Sequence, residues 1–147
     1  MLDSDKPEWR ITTERMKMRE AHIVPLARLS VAILRPLQAV TGHQRSVFPA
    51  IGGGDRSLSE NTINGVVRSL GYSGEEMTAH GFRTMASTLL NERGAHPDLI
   101  ELQLARAERN TVRAAYNRAQ RLAERREMMQ SWADCLDRLR GTGTAKR

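Results

Sequence analysis

Apolar residues at helical spacing, bounded by capping residues and glycines, are the feature that most restricts the fold of this chain. Residues 59–71 are the plainest case, since their apolar positions follow the spacing i, i+3, i+4 and i+7, which places side chains on one helix face. These positions are Ile63, Val66, Val67 and Leu70. Ser59 is suited to cap the start of this helix and Gly71 to end it. We therefore predict a helix between them.

Three further helices are predicted in the same way. One covers residues 28–40, ends at Thr41-Gly42 and includes Pro36, which we expect to kink or divide it. Its apolar positions are Leu29, Ala32, Ile33, Leu37 and Val40. Another runs from about residue 80 to residue 93 and stops at Gly94, and Pro97 is placed to open the next. In the helix of residues 80–93 we expect these side chains to point into a core: Phe82, Met85, Ala86, Leu89 and Leu90.

The two ends of the chain complete the predicted fold. Residues 8–13 and 22–26 contain β-branched residues on either side of a polar stretch, which predicts an antiparallel hairpin with Lys17 near its tip. Asn110 or Thr111 is suited to cap a short helix that presents Tyr116. A last long helix carries an apolar stripe: Leu122, Met129, Trp132, Leu136 and Leu139. The predicted fold class is mainly α (α+β), with a small antiparallel sheet near the N-terminus.

Length and composition limit the class of protein. A chain of 147 residues with 39% apolar and 27% charged residues can bury one core, so we predict one domain over residues 1–140 and a disordered tail over 141–147. No apolar run approaches the roughly 18 residues of a membrane span, and the acidic start is neither a signal peptide nor a basic transit peptide. We expect a cytoplasmic protein with no membrane partner.

The positive charge is concentrated in one part of the chain. The net charge is +6, and 20 of the 23 basic residues are arginines. Seven arginines and only two acids lie between residues 106 and 126, on both sides of Tyr116. The arginines are Arg106, Arg109, Arg113, Arg118, Arg121, Arg125 and Arg126. Guanidinium groups bind phosphate through paired hydrogen bonds, which favours a nucleic-acid partner, whereas the simpler interpretation is a solvated helix face.

The sequence contains no recognisable metal or nucleotide motif. The single Cys135 excludes an internal disulfide and gives no zinc motif, and three of the four histidines, His22, His43 and His96, lack metal-ligand spacing. Residues 52–55 form a glycine-rich stretch that lacks the Gly-Lys-Ser/Thr ending of a phosphate-binding P-loop. We therefore expect no cofactor.

Two short segments carry the candidate chemistry. His80 and Arg83, three positions apart in the segment Thr78-Ala79-His80-Gly81-Phe82-Arg83, share one face of a helix and can address a single phosphate. Tyr116 follows within Ala115-Tyr116-Asn117-Arg118, where it is a possible nucleophile among arginines. Taken singly, each has a simpler explanation: His80 as a helix-end residue, Arg83 as a partner of Glu76 or Glu92, and Tyr116 as a packing residue.

At these segments the chain resembles the C-terminal catalytic domain of tyrosine recombinases, and in particular the phage-type integrases. The resemblance covers nearly the whole chain. Besides the HGFR and AYNR segments it includes four stretches in the family's order: residues 14–19, 22–26, 58–64 and 125–134. It implies cleavage and rejoining of double-stranded DNA without metal or ATP, in a synaptic tetramer of integrase protomers.

The resemblance also implies a role for each matching residue. Tyr116 attacks the phosphorus to form a 3′-phosphotyrosine, and Arg83 binds the nonbridging oxygens. His80 hydrogen-bonds the phosphate or moves the tyrosine proton, while Lys17 protonates the leaving 5′ oxygen. Lys17 is as readily explained as an exposed lysine in a polar turn. Residues expected to contact DNA are the exposed Asn61, Asn64 and Arg68, together with Arg19, Arg109, Arg113 and Arg118.

Two departures from the family pattern bear on activity. The family's first catalytic arginine lies upstream of the hairpin, and we expect this chain to lack it. Arg106 stands where the family has histidine or tryptophan. Loss of one phosphate-binding arginine is expected to cost about a hundredfold to a thousandfold in rate. We therefore expect a weak or inactive fragment, cut from a longer protein or encoded by a degraded prophage gene.

Two other functions remain open from the sequence. The first is a DNA-binding remnant of an integrase that no longer cleaves. The second is a helical interaction protein whose arginines serve only solubility. The first predicts salt-sensitive DNA binding without a covalent product, and the second predicts weak DNA binding with self-association.

Overall fold

The computed structural model of the chain describes residues 2, 4–15, 21–50, 56–105 and 121–143. Two predicted features therefore lie outside the described residues: the glycine-rich stretch of residues 52–55 and the short helix that presents Tyr116. Within the described residues, the chain is mainly helical and has one small sheet, so the predicted fold class is confirmed.

The N-terminal hairpin is present as predicted. Strand β1 (Glu8–Ile11) pairs antiparallel with strand β2 (His22–Pro25), and the register places Glu8 opposite Pro25 and Ile11 opposite His22. A single 3-10 turn (Thr13–Arg15) follows β1. The hairpin extends at its open end, since the amide of Leu26 donates to the carbonyl of Pro7 at 3.0 Å.

Five helices lie in the described residues, and all occur where the sequence predicts them. They are α1 (Arg28–Thr41), α2 (Glu60–Ser69), α3 (Ala79–Glu92), α4 (Pro97–Gln103) and α5 (Leu122–Gly143). Pro36 lies inside α1 without dividing it, so of the two expected effects division does not occur and a kink stays a prediction. Helix α5 includes residues 141–143, which belong to the predicted disordered tail, and residues 144–147 lie outside the described residues.

Glycine ends two of these helices for the expected reason. Gly71 after α2 and Gly94 after α3 have φ of +94° and +79°, a region that favours glycine because side chains with a Cβ clash there. At each end the next amide reaches back five residues, from Tyr72 to the Val67 carbonyl and from Ala95 to the Leu90 carbonyl. These bonds satisfy carbonyls that would otherwise lack partners at the helix ends.

The described chain divides into two compact units. The first unit consists of Met1–Ile33 and Leu90–Arg147. Its buried apolar residues are Ala27, Leu90, Leu99, Ile100, Met128, Trp132, Ala133 and Cys135. In α5 the buried face therefore includes Met128 and Trp132, whereas Leu139, which the predicted stripe includes, is 57% exposed. The predicted apolar stripe of α5 is therefore exposed at Leu139.

The second unit consists of Leu34–Leu89 and buries much less of its apolar surface. On α2 only Val67 is buried, while Ile63, Val66 and Leu70 are exposed. On α3 Phe82 is 44% exposed, so the expectation that it points into a core is wrong. Met85, Ala86 and Leu89 are half-buried. Helical spacing identifies an apolar face, but other elements decide whether that face is covered.

The described helices give no candidate for a membrane span, because none combines the required length with the required apolar character.

The prediction of a single domain stays a prediction.

Candidate nucleic-acid site

His80 and Arg83 are the sequence-predicted catalytic residues that the structure describes. Both lie on α3, His80 in the first turn and Arg83 three residues later, as the sequence predicts. The His80 side chain is exposed, and the Arg83 side chain is half-buried. Residues three apart are neighbours on a helix surface, so both groups can approach one ligand.

The start of α3 is capped by one residue of its own segment and by one from α2. Thr78 Oγ1 accepts a hydrogen bond from the amide of Gly81 at 3.0 Å, the usual pattern of a threonine N-cap. Asn64 Oδ1 on α2 accepts a hydrogen bond from the amide of Ala79 at 2.8 Å. Two of the four amides that lack helical partners at this end are thereby satisfied.

A second residue of α2 holds the loop that leads to α3. The guanidinium of Arg68 donates from Nη1 to the carbonyls of Tyr72 (2.6 Å) and Ser73 (2.7 Å). Its Nη2 donates to the carbonyl of Met77 at 2.8 Å. Because a guanidinium carries several donors in one plane, a single side chain can gather three carbonyl groups. The loop between α2 and α3 is thus attached to α2 through Arg68.

The sequence predicts that one exposed helix face contacts DNA through Asn61, Asn64 and Arg68. Asn61 and Arg68 are exposed, but Asn64 is half-buried, so the expectation of exposure is wrong for Asn64. The contacts of Asn64 and Arg68 with the start of α3 were missed. An asparagine inside a helix was the available signal, because its side chain competes with helical hydrogen bonding unless it finds another partner.

A reciprocal pair closes the turn inside this loop. The Ser73 amide donates to Glu76 Oε2 at 2.7 Å, and the Glu76 amide donates to Ser73 Oγ at 3.3 Å. The hydrogen bonds from the backbone and side chain of Ser73 lower the pKa of the Glu76 carboxyl, and the charge of Arg68 adds to this effect. Glu76, considered from the sequence as a partner for Arg83, therefore stabilises its own turn.

Gly81 lies close to another part of the same loop. A Cβ at this position would come within 2.9 Å of Met77 Sδ, the end of a flexible side chain. A larger residue between His80 and Arg83 would therefore displace the Met77 side chain next to a carbonyl that Arg68 binds.

Arg125 forms a buried centre in the first unit that the sequence did not reveal. Its side chain is fully buried, and it donates to Gln103 Oε1 from Nε (3.0 Å) and from Nη2 (2.9 Å). Nη2 also donates to the Ile23 carbonyl at 2.7 Å. Burial, together with the neighbouring charge of Arg126, lowers the pKa of Arg125 to about 10. One guanidinium thus joins β2, α4 and α5.

Two more members of the arginine-rich segment have acidic partners. Arg126 pairs with Glu8 of β1 at 2.9 Å, and Arg121 pairs with Glu124 one turn later in the chain. Arg125 is buried, and Arg121 and Arg126 are paired with acids. Residues 121–126 are therefore neither entirely a phosphate-binding surface nor entirely a solvated helix face. The charge count alone could not separate arginines that hold the fold together from arginines that remain available to DNA.

The other predicted site residues lie outside the described residues. They are the catalytic candidates Lys17, Arg106 and Tyr116 and the DNA-binding candidates Arg19, Arg109, Arg113 and Arg118.

Two other described histidines, His96 and His22, have contacts with residues close to them in the fold. His96 Nδ1 accepts a hydrogen bond from the Asp98 amide at 3.2 Å and so caps α4. His22 is half-buried on β2, and burial together with the charge of Arg125 lowers the pKa of its imidazole, against an opposing hydrogen bond with the Gln103 backbone. Among the residues that the structure describes, no three His, Cys, Asp or Glu side chains are grouped closely enough to hold a metal ion.

Comparison with known proteins identifies the family. The model of the phage integrase family matches residues 1–122. The chain belongs to the phage integrase family. It is 44% identical to the integrase of Enterobacteria phage P4 over 92% of this chain and 34% of that protein. It is 41% identical to the prophage integrase IntA of Escherichia coli K12 over 90% of this chain and 32% of that protein.

A third relative of this phage integrase family member is the putative protein IntB of Escherichia coli K12, which is 38% identical over 92% of this chain and 38% of that protein. The chain thus spans about a third of the length of these relatives. No solved structure gives a significant match.

Proposed function

We propose that this chain acts in site-specific recombination of double-stranded DNA, cleaving and rejoining strands through a 3′-phosphotyrosine intermediate. The observation that carries the proposal is the placement of His80 and Arg83, three residues apart at the start of α3, in a chain of the phage integrase family. Two of the named relatives are integrases of a phage or a prophage.

Each residue has a distinct role in the proposed reaction. Tyr116 Oη forms a bond to phosphorus while the bond from phosphorus to the 5′ oxygen breaks, and Lys17 gives that oxygen a proton. Arg83 binds the nonbridging oxygens, whose charge increases in the transition state. His80 hydrogen-bonds the phosphate or accepts the tyrosine proton, and Arg106 is a further donor to the phosphate.

Local electrostatics support the roles of the two described residues. His80 lies in the first turn of α3, where the helix dipole favours an anion. Arg83 follows within the next turn and has the planar donor arrangement that matches phosphate oxygens. A phosphate bound there would meet an imidazole and a guanidinium.

Contacts to DNA outside the reacting phosphate are proposed for Asn61, Arg19, Arg109, Arg113 and Arg118. Other integrase protomers are the proposed protein partners. We propose that the chain alone is a weak or inactive catalyst, because one phosphate-binding arginine of the family has no counterpart among its matching motifs and Arg106 replaces histidine or tryptophan.

The test is capture of a covalent protein–DNA adduct that survives denaturant. Nicked duplexes, which release a short strand after cleavage and prevent rejoining, are mixed with the chain and with Tyr116→Phe. A chimera in which this chain replaces the matching third of the phage P4 integrase is assayed in parallel on the DNA of that integrase. We expect adduct from the chimera, little or none from the chain alone, and none from either Tyr116→Phe variant.

The possible results separate the proposal from its alternative. Adduct that persists in Tyr116→Phe would refute the assignment of the nucleophile. Absence of adduct from a folded chimera, with salt-sensitive DNA binding retained, would favour the non-cleaving DNA-binding remnant. Absence of both adduct and binding would refute both functions.

A further inference from the structure

Asn64 and Arg68 form a clamp between α2 and the start of α3. The two residues are four positions apart on α2 and therefore lie on the same face of that helix. Asn64 binds the first amide of α3, and Arg68 binds the carbonyls of Tyr72, Ser73 and Met77 in the preceding loop. We infer that this clamp positions His80 and Arg83 for the DNA phosphate and that Asn64 and Arg68 are positioning residues. This inference rests on the proposed function.

The contacts of the clamp hold the backbone directly before His80. Arg68 fixes the carbonyl of Met77, which is followed directly by the capping residue Thr78. Asn64 fixes the amide of Ala79, the residue directly before His80. The backbone on the N-terminal side of His80 is thus bound at successive residues, and Arg83 follows on the same rigid helix. A shift of this segment would move both phosphate-binding candidates together.

The clamp is suited to positioning rather than to burial of apolar surface. Arg68 is exposed, and the apolar neighbours Val66 and Leu70 are exposed as well. The clamp residues therefore contribute polar bonds to this loop, while Val67, which lies between them in the sequence, is buried. Small displacements of binding groups reduce phosphate recognition strongly, since hydrogen bonds weaken with distance and angle.

The first test uses hydrogen exchange of the purified chain without DNA. Asn64→Ala removes the acceptor for the Ala79 amide, so protection of that amide should fall about tenfold, while Asn64→Asp keeps an acceptor and should retain it. Ser69→Ala is the control on the same helix, because Ser69 Oγ donates to the Val66 carbonyl of its own helix at 2.8 Å. Unchanged protection in Asn64→Ala would overturn the inference. Loss of protection throughout α2 would also overturn it, because it would indicate general unfolding.

The second variant addresses Arg68 without changing the net charge. Arg68→Lys keeps one positive charge but lacks the fork that binds three carbonyls, so exchange should increase at the first turn of α3. Arg56→Ala is the matched arginine control, since Arg56 is exposed and lies in the same unit. Unchanged exchange in Arg68→Lys, or an equal increase in Arg56→Ala, would overturn the role of Arg68.

The third test asks whether Asn64 acts through Arg83 or on DNA directly. Affinity for a duplex is measured by fluorescence anisotropy for the unmodified chain, Asn64→Ala, Arg83→Ala and the double variant. Asn64→Ala should weaken binding about fivefold to tenfold in the unmodified chain and clearly less when Arg83 is absent, because only His80 then remains to be positioned. An equal loss in both backgrounds would mean direct contact with DNA and would overturn positioning. If the unmodified chain binds no duplex, the proposed function fails, and the exchange measurements alone decide the clamp.

Discussion

Replacement of the buried Arg125 tests whether its hydrogen bonds or its bulk stabilise the first unit. Arg125→Met keeps a side chain of similar length but removes every donor. Gln103 Oε1 and the Ile23 carbonyl, which together accept three hydrogen bonds from Arg125, would lose them. Met therefore isolates the polar contribution from most of the packing.

Two opposing effects determine how much Arg125→Met changes the free energy of unfolding. An unsatisfied buried acceptor costs about 1–3 kcal/mol, so two of them cost roughly 4 kcal/mol. The lowered pKa of Arg125, about 10, shows that the charged form is itself disfavoured at this site. At about 1.4 kcal/mol per pKa unit, removal of that charge recovers about 3 kcal/mol. We expect Arg125→Met to lower the free energy of unfolding by about 1 kcal/mol, and Arg125→Ala by about 2 kcal/mol more because a cavity remains.

Gln103→Leu supplies the decisive comparison. Alone it takes the Gln103 acceptor from the buried guanidinium and leaves its bond to the Ile23 carbonyl, and we expect a loss of about 2 kcal/mol. Combined with Arg125→Met it removes donor and acceptor together, so that Gln103 no longer leaves an unsatisfied group and only the Ile23 carbonyl loses a bond, and we expect a total loss of about 1 kcal/mol. The double variant should therefore be about 2 kcal/mol more stable than the sum of the two single effects predicts.

Urea unfolding followed by tryptophan fluorescence measures these differences. Trp132 is buried on the same helix as Arg125, and the second tryptophan, Trp9, lies in the same unit. Arg140→Met is the control on α5, because its pair with Asp137 is exposed and should contribute less than about 0.5 kcal/mol. Additive effects of Arg125→Met and Gln103→Leu, or equal effects of Arg125→Met and Arg140→Met, would refute the reasoning.

Two further predictions concern other positions. The pKa of His22 is lowered in the folded chain, so below about pH 6.5 the unfolded chain binds the proton more readily. The free energy of unfolding should therefore fall as the solution is acidified below that pH. His22→Gln should reduce this loss, measured by urea unfolding at several pH values, and an unchanged pH profile would contradict the assignment. Gly65→Ala should stabilise the second unit by about 0.5–1 kcal/mol, because Gly65 lies inside α2 and a Cβ there has no atom within 4 Å. Gly71→Ala should destabilise the unit by about 1 kcal/mol, because Gly71 has a φ of +94°. Thermal unfolding followed by circular dichroism distinguishes the two, and shifts of the same sign would contradict the backbone argument.

Much of the fold could be predicted from local patterns. Ser59 stands at the N-cap position of α2, although its side chain makes no capping hydrogen bond. Gly71 follows α2, Gly94 follows α3 and Pro97 begins α4, because such boundaries depend on the backbone preferences of single residues. Pro36 shows the limit of such rules, since α1 continues through it as one helix. A proline removes one helical hydrogen bond, and the rest of α1 is sufficient to maintain the helix.

The candidate site was predicted less completely. His80 and Arg83 were found because their spacing within one helix carries their meaning. The roles of Asn64 and Arg68 were not, because their partners lie 15 and up to 9 residues away in the chain. No local pattern shows which amide or carbonyl a side chain will reach after the chain folds.

The sequence by itself determined the helices, the hairpin, the family and the spacing of His80 and Arg83, since these depend on residues close together in the chain. Tertiary structure decided which apolar faces are covered and which arginines are used internally. Arg125 looked like one more cation beside Tyr116, yet it is fully buried and binds Gln103 and Ile23. Burial depends on what packs against a side chain, and for Arg125 the contacts with β2 come from residue 23, which is 102 residues away in sequence.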